Sequence, residues 1–396
     1  IDEKALADFR EALRALPDPA QAAELTDTLK AQLEQALKCY NALRQEARGQ
    51  LTTAEQAKWE ALRSLLDEGS GPVLLTSQQG GRRRFETIGQ ALAAAVAGDT
   101  LTLNGGSYAE NLTLSMPVTI QAAPGVRPQI TGSWTLAAGV TLRGLDFSAT
   151  TDGAVLQVAA GAAVQLQDLG IDQLGTGSGI QLGDGSGAAT GAQLVLDSVY
   201  LHANQGAGPL ARDPAAQLTI QNGSQLSGQT AVCLESTAGE VPLWVVSSTL
   251  TGVQTALEVK SPAHLQLQNS TLTGERGLVL AAKGIQAQAA NSTLEGGTGG
   301  ALSLAAQNCK ITIGGGSVLK NRAAGQALIR LSGEAAGRGE QVGLEQVSLL
   351  DSASGGEGTL IDYGGEISTP ISVTSQTASS LSDGSVPILE RAAEDT

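Results

Sequence analysis

A leucine recurs at the same place in six short, similar segments of the chain, at Leu201, Leu226, Leu250, Leu272, Leu294 and Leu319. Successive leucines are 25, 24, 22, 22 and 25 residues apart, and a second short apolar run repeats with the same period. A propeller blade needs about twice this length, and a leucine-rich repeat carries an Asn-centred consensus with a helix or 3-10 turn in each unit. The period therefore predicts one coil of a parallel β-helix per repeat.

Strand alternation and composition indicate a thin core that is repeated many times. Leu265 and Leu267 are predicted to point inward while Gln266 and Gln268 point outward, because neighbouring side chains of a strand point to opposite faces. Glycine is abundant, at 50 of 396 residues, and aromatic residues make up only 3%, so Ala, Val, Leu and Ile must fill this core. We predict a mainly β chain with about 10–12 coils over residues 99–376, ending in a C-terminal cap or tail at 377–396.

The first 68 residues have helical rather than strand periodicity. Leu6, Phe9 and Leu13 recur at three- and four-residue steps, and Thr53 with Gln56 resembles a capping box before a later apolar run. We predict an α-helical segment of two or three amphipathic helices at 1–68. Their apolar stripes have two alternative uses: they pack within the chain, or they dock a partner or another subunit.

Residues 69–84 are predicted to be a linker that leads into the β-helix, because they are rich in Gly, Ser and charged residues. The basic run at residues 82–84 has two interpretations: a solvated turn before a helix, which the overall acidity favours, or a contact with phosphate or an acidic polymer.

The segment that follows has a more specific pattern. It reads FETIGQALAAAVAGDTLTL at 85–103, NGGSYAENLTL at 104–114 and VTIQA at 118–122. This resembles the opening of the pectin-lyase-like superfamily of right-handed parallel β-helices. The resemblance implies a right-handed helix over roughly residues 73–375 and an N-terminal capping helix at 85–98, with Ile88, Ala91, Leu92, Ala95 and Val96 on its covering face.

The resemblance extends to the scaffold only. Many members of the superfamily are enzymes that act on acidic polysaccharides, with clustered Asp residues for calcium or with Asn-Thr-Asp, Asp-Asp, Gly-His-Gly and Arg-Ile-Lys signatures. The sequence contains no Asp cluster and none of these signatures. A fold hosts many functions, so the resemblance does not imply an activity.

One group of polar residues is predicted to meet on adjacent coils. Aligning successive repeats puts Glu235 beside Lys260 and Cys233 beside Glu258. Two carboxylates across a cleft could serve a glycosidase, whereas a surface ion pair between Glu235 and Lys260 would contribute only about 0–1 kcal/mol. We name Glu235, Glu258 and Lys260 as candidate ligand-binding residues and assign no catalytic residue.

Trp244 is the fourth candidate ligand-binding residue. It follows Leu243, whose side chain is predicted to point inward, so the indole should point outward. An exposed aromatic ring gives a flat apolar surface on which a sugar can stack, although single exposed aromatic residues are common in soluble proteins.

Charge and metal-ligand chemistry exclude several classes of function. The chain has 24 Lys and Arg against 39 Asp and Glu, a net charge of −15, which argues against nucleic-acid binding and against anionic membranes. Three separated cysteines and two histidines do not form a metal-binding pattern, so we predict no metal and no cofactor. No apolar stretch is long enough to span a bilayer.

Three functional classes remain. The first is a non-catalytic β-helix that serves as a binding or structural module of a bacterial envelope or cell-surface protein and recognises a polysaccharide or a protein partner. The second is a carbohydrate-active enzyme, a lyase, hydrolase or epimerase, with an unrecognised site. The third is a fibre or tailspike-like oligomer. An extracellular or envelope location accompanies the first class, and a cytoplasmic location stays open.

Overall fold

The computed structural model describes residues 3–22, 26–68, 70–185, 190–236, 239–323, 326–331, 341–351, 361–362 and 372–376. The predicted tail at 377–396 lies outside these residues. The chain divides into two compact units. The first unit comprises Ile1–Tyr108 and Val118–Val126, and the second comprises Ala109–Pro117 and Arg127–Thr396.

Helices occupy most of the first 68 residues, as the periodicity predicts, but there are four α-helices among the described residues of this segment rather than two or three, because a separate four-residue helix follows the second one. They are α1 (Glu3–Ala15), the 3-10 turn η1 (Pro19–Gln21), α2 (Asp27–Ala42), α3 (Gln45–Arg48) and α4 (Thr53–Glu68), and α5 (Ile88–Ala94) follows later in the chain. The rings of Phe9, Tyr40 and Trp59 have centroids 5.2–5.3 Å apart, within a core in which Leu33 and Leu62 are fully buried. The apolar stripes of these helices therefore pack on one another inside the first unit.

The capping box of α4 lies one residue before the predicted position. The hydroxyl oxygen of Thr52 accepts a hydrogen bond from the amide of Glu55 at 3.2 Å, and the Glu55 carboxylate accepts one from the amide of Thr52 at 2.8 Å. Arg10 of α1 also donates to this carboxylate at 2.9 Å. The predicted box at Thr53 and Gln56 is wrong by one residue, because Glu55 makes an additional bond to another helix.

Short strands make up the rest of the described chain. In chain order they are β1 (Val73–Thr76), β2 (Arg82–Phe85), β3 (Thr100–Leu103), β4 (Ser107–Ala109), β5 (Leu112–Leu114), β6 (Val118–Ala122), β7 (Gln129–Thr131), β8 (Trp134–Leu136), β9 (Val140–Arg143), β10 (Asp146–Ala149), β11 (Leu156–Val158), β12 (Ala163–Gln167), β13 (Gly170–Gln173), β14 (Ile180–Leu182), β15 (Gln193–Asp197), β16 (Tyr200–Ala203), β17 (Pro209–Ala211), β18 (Gln217–Gln221), β19 (Gln225–Leu234), β20 (Leu243–Val246), β21 (Thr249–Val259), β22 (His264–Gln268), β23 (Thr271–Thr273), β24 (Arg276–Leu280), β25 (Gln286–Ala290), β26 (Thr293–Gly296), β27 (Leu302–Leu304), β28 (Lys310–Gly314), β29 (Val318–Asn321), β30 (Ile329–Leu331), β31 (Gln341–Glu345), β32 (Ser348–Asp351), β33 (Ile361–Asp362) and β34 (Ser372–Gln376).

The first unit contains a hairpin where the sequence indicates a linker. Strand β1 pairs antiparallel with both β2 and β3, and β3 pairs in parallel with β6. Residues 82–84 are thus part of a strand, and Arg84 is only 9% exposed. The expected solvated turn is wrong here, because backbone pairing with β1 orders the basic run.

Helix α5 lies within the predicted capping segment. Ile88 and Ala91 are fully buried and Ala95 is 8% exposed, as expected for its covering face. Val96 is 63% exposed, contrary to the prediction, because the helix ends at Ala94 and no longer directs later side chains to that face.

Over its described residues, the second unit is a parallel β-solenoid of about nine turns. The predicted 10–12 coils are too many, because the prediction began at residue 99 and strands such as β3 and β6 belong to the first unit. Each turn contributes to three ladders of parallel strands, which we call faces 1, 2 and 3 in chain order. Face 1 holds β9, β12, β15, β18, β20, β22, β25, β28, β31 and β34; face 2 holds β7, β10, β13, β16, β19, β21, β23, β26, β29 and β32; face 3 holds β5, β8, β11, β14, β17, the ends of β19 and β21, and then β24, β27, β30 and β33. This architecture confirms the predicted fold class.

The repeating leucines stack in one column inside the solenoid. Leu201, Leu226, Leu250, Leu272, Leu294 and Leu319 are direct partners on neighbouring strands of face 2. Each of them is at most 1% exposed. The period of 22–25 residues is therefore the length of one turn.

A corner with left-handed backbone joins face 1 to face 2. Nine described residues in one column adopt φ between 48° and 68°, namely Gly144, Asp168, Ser198, Asn222, Ser247, Asn269, Asn291, Gly315 and Gln346. Asn, Asp and Gly tolerate this conformation best. The Asn-Ser-Thr-Leu segments of the repeats place such a residue at the corner.

A column of buried serines follows this corner. The amides of Ser248, Ser270 and Ser292 each donate to the hydroxyl oxygen of the serine in the next turn, at 3.3, 3.2 and 3.1 Å, and Ser317 ends the series. Each of these four serines is at most 4% exposed. Hydrogen bonds between the serines thus link each turn to its neighbour.

Glycines allow the sharp bend from face 2 to face 3. At Gly252 an added Cβ would lie 1.8 Å from the carbonyl oxygen of Thr255, and at Gly296 it would lie 2.1 Å from the backbone of Gly300. These distances are too short for any side chain. The glycine of the Leu-x-Gly pattern is therefore required where the chain bends from face 2 to face 3, at Gly252 within β21 and at Gly296 at the end of β26.

Candidate ligand-binding face

The outward side of face 1 carries an array of glutamines. Residues of β12, β15, β18, β20, β22, β25 and β28 alternate between buried and solvent-facing positions. Leu265 and Leu267 are buried, whereas Gln266 and Gln268 are exposed, as predicted. We call the outward residues of these seven strands the amide face; its nine glutamines are Gln165, Gln167, Gln193, Gln217, Gln221, Gln266, Gln268, Gln286 and Gln288.

The strand register aligns the outward residues of the amide face in three columns. The middle column runs through Gln165, Val195, Thr219, Trp244, Gln266, Gln288 and Thr312. Gln193, Gln217 and Gln286 lie in one flanking column, and Gln167, Gln221 and Gln268 lie in the other. Because turns are about 4.8 Å apart, the stacked pairs Gln193–Gln217 and Gln266–Gln288 lie at about that spacing.

Trp244 lies in the centre of the amide face. Its neighbours in register are Thr219 and Gln266, and its side chain is half-buried on the outward side of β20. The outward orientation predicted from Leu243 is therefore confirmed. The indole adds an apolar surface among groups that both donate and accept hydrogen bonds.

The amide face carries little charge. Among its described positions the charged residues are Asp197 and Lys310. The Asp197 carboxylate accepts hydrogen bonds from Gln221 at 3.1 Å and Asn222 at 2.9 Å. The imidazole of His264, an outward residue of β22, lies 2.7 Å from the carboxylate of Glu240, measured from Nε2 to Oε1. The protein as a whole has a net charge of −15, so this nearly neutral surface differs from the rest of the chain.

The other three candidates lie on a different face from Trp244. Cys233 and Glu258 are direct partners on face 3, as the alignment of repeats predicts. The amide of Lys260 donates to Leu234 at 2.7 Å, which places Lys260 one turn beyond Glu235. The two candidate groups therefore do not form one site.

The ion pair on face 3 differs from the predicted pair. The ammonium group of Lys260 lies 3.0 Å from the carboxylate of Glu258, whose side chain is 15% exposed, whereas Glu235 is exposed. Lys260 therefore pairs with Glu258, two residues before it, and not with Glu235 of the neighbouring turn as predicted. Residues two apart along an extended chain point to the same side, which brings Glu258 and Lys260 together.

Titration behaviour on face 3 does not favour acid–base catalysis. Burial lowers the pKa of Lys260, but the hydrogen bond with Glu258 and the electrostatic effects of Cys233, Glu258 and Glu235 together raise this pKa above its ordinary value. Burial raises the pKa of the Cys233 thiol to about 12. Near neutral pH the lysine stays charged and the thiol stays protonated, so neither is prepared to act as a base or a nucleophile.

The described residues contain neither a metal-binding cluster nor a membrane-spanning helix. Within them, no group of three or more His, Cys, Asp and Glu residues is arranged to hold a metal ion. Asp146 and Asp168 instead pair with Arg127 at 2.7 and 2.8 Å. No helix in the described part of the chain is long and apolar enough to cross a membrane.

Sequence reasoning identified Trp244, Gln266 and Gln268 as outward-facing but missed the array to which they belong. The signal was present in the alternate glutamines of segments such as Gln165 to Gln167 and Gln286 to Gln288. The columns become visible only when the register of neighbouring turns is known.

No family model, no curated protein and no solved structure matches this chain.

Proposed function

We propose that this protein is a non-catalytic binding module that holds a neutral polysaccharide on its amide face. The observation that carries the proposal is the alignment of nine glutamines around one half-buried tryptophan on a nearly uncharged surface. Glutamine side chains donate and accept hydrogen bonds at once, as sugar hydroxyls do. An aromatic face adds apolar contact with the C–H side of a sugar ring.

A role at the bacterial envelope or cell surface belongs to the same proposal. It is supported by the ligand class, since structural polysaccharides are found there, and by the segment 85–122 that resembles the opening of the pectin-lyase-like scaffold. The position of α5 before the first parallel strands agrees with that resemblance, which supports a right-handed solenoid of this superfamily.

A binding experiment with a matched control tests the proposal. The full chain is titrated calorimetrically with neutral and acidic polysaccharides, together with the Trp244→Ala variant. Binding of a neutral polymer should weaken by about tenfold or more in this variant, equivalent to about 1.4 kcal/mol. Tyr200, which is 52% exposed on face 2, provides the control, because Tyr200→Ala should bind like the original protein.

Two results would refute the proposal. One is binding that Trp244→Ala leaves unchanged, which would place the ligand elsewhere. The other is turnover of the polysaccharide, detected as new reducing ends or as unsaturated products, which would show that the protein is an enzyme.

A further inference from the structure

We infer, building on the proposed function, that the ligand is an extended β-linked neutral polymer that lies along the stacking direction of the turns, with one sugar residue per turn. The observation behind this inference is the direction in which equivalent groups repeat. Gln266 and Gln288 are direct partners in successive turns, as are Gln193 and Gln217. A single strand carries at most two of these glutamines, as β22 does with Gln266 and Gln268, whereas five of the seven strands carry at least one.

The dimensions of the amide face favour the same direction. Its seven strands span six intervals of about 4.8 Å, or roughly 29 Å along the stack. The five residues of a strand such as β22 span only about 13 Å across it. A polymer laid along the stack therefore meets more of the face than one laid along a strand.

The repeat of the face also selects among polysaccharides. In an extended β-1,4-linked chain, the distance between successive hexoses is nearly equal to the spacing between successive solenoid turns. Each sugar would then lie over the outward groups of one turn, and contacts would add from turn to turn. An α-1,4-linked chain of the same sugars coils, so its residues fall out of step with the turns.

Charge excludes an acidic polymer from this position. Recognition of carboxylates uses arginine or lysine, and Lys310 is the basic side chain among the described positions of the amide face apart from His264, which faces Glu240. The −15 net charge of the chain would repel a polyanion. Uncharged hexoses avoid this repulsion.

A length series tests the inference. β-1,4-linked gluco-oligosaccharides of increasing length are titrated against the full chain, with α-1,4-linked oligosaccharides of equal length for comparison. Affinity for the β-linked series should rise with each added sugar up to about seven residues, one for each turn of the amide face, and the α-linked series should show no such increase.

A variant two turns away from the tryptophan gives a second measurement. Gln288 lies in the column of Trp244, two strands along, so Gln288→Leu should weaken binding of long oligosaccharides and leave the shortest ones unaffected. Gln225→Leu, at an exposed position of face 2, should have no effect on either.

The outcomes separate this inference from the proposed function. If neutral glycans bind in a Trp244-dependent way without any gain beyond two sugars, the site is confirmed and the one-sugar-per-turn arrangement is refuted. If no glycan binds, both are refuted. If sedimentation shows that the chain self-associates and that Trp244→Ala abolishes this, the amide face is an interface between copies and the inference is again refuted.

Discussion

At the scale of single residues, the corner between faces 1 and 2 requires a particular backbone conformation, and Asn269 shows this most simply. Asn269 has φ of 52° and an exposed side chain. Its backbone amide donates a hydrogen bond to the carbonyl oxygen of Ala290 in the next turn at 3.1 Å. A residue at this position therefore contributes mainly through its tolerance of the left-handed region.

Asn269→Val should destabilise the solenoid by about 1–2 kcal/mol, because a β-branched residue strains in the left-handed conformation. Asn269→Gly should change the unfolding free energy much less, since glycine adopts this conformation readily. Urea unfolding followed by circular dichroism measures both variants. Equal midpoints for the valine and glycine variants would contradict this role of the corner.

Much of the single-residue description could be predicted from the sequence. Alternation was enough for Leu265 to Gln268 and for Trp244, because each lies within a regular strand. The helical spacing that placed Val96 on the covering face was misleading, since α5 ends at Ala94 and the local pattern does not indicate that end. The partner of Lys260 was also missed, because Glu235 and Glu258 were equally compatible with the sequence.

At the scale of elements, the start of helix α4 combines a local cap with a distant ion pair. Thr52 and Glu55 cap each other, and Arg10 of α1 binds the same carboxylate. The amide of Thr52 lowers the pKa of Glu55; burial opposes this effect and Arg10 adds to it. The capping-box pattern in the sequence fits both Thr52 with Glu55 and Thr53 with Gln56. The bond from Arg10 of α1 to Glu55 distinguishes the two.

Glu55→Gln should lower the stability of the first unit at pH 7 by up to about 1 kcal/mol, because glutamine can keep the capping box but loses the charge that pairs with Arg10. Because the pKa is lower in the folded chain, this stabilisation is complete above the unfolded pKa of about 4.3 and is lost as the pH falls through the folded value. The difference in urea midpoint between the two proteins should therefore be clear at pH 7 and small near pH 3.

Glu60→Gln serves as the control for this change. Glu60 is an exposed residue of the same helix, and its replacement should not alter the midpoint at either pH. A difference at pH 7 that persists unchanged at pH 3 would show that the carboxylate of Glu55 is not the stabilising group.

At the scale of the whole molecule, each unit has a core of its own, and each core has cysteines in or beside it. Cys39 packs at the edge of the helical core and is partly exposed. Cys233 and Cys309 lie in the solenoid and are 4% and 0% exposed. The thiolate is the reactive form of cysteine, and the raised pKa of Cys233 keeps it protonated.

Iodoacetamide at pH 8 should therefore modify Cys39 in the native protein well before Cys233 or Cys309, as read by mass spectrometry of digested samples. In concentrated urea all three should react at similar rates. Native-state labelling of Cys233 as rapid as that of Cys39 would mean that the solenoid opens at this turn.

The scaffold of the second unit was predictable because its signal is repeated in every turn, so that errors in one repeat are corrected by the others. The hairpin of β1 and β2 was not, since it occurs once and its composition is typical of a linker. The amide face belongs to a third kind of feature. Its residues are visible in the sequence, but their columns depend on the register between turns.

The serine column has a consequence for how the length of this protein can change. Ser270 bonds to the turn before and the turn after, and to no more distant one. Residues 271–292 form one complete repeat of 22 residues, and their removal would join Ser270 to Thr293 as it is now joined to Thr271. Duplication or deletion of such a gene segment would add or remove a whole turn while keeping every junction of the same type. In the course of evolution, the number of solenoid turns can thus be altered stepwise, without redesign of the core.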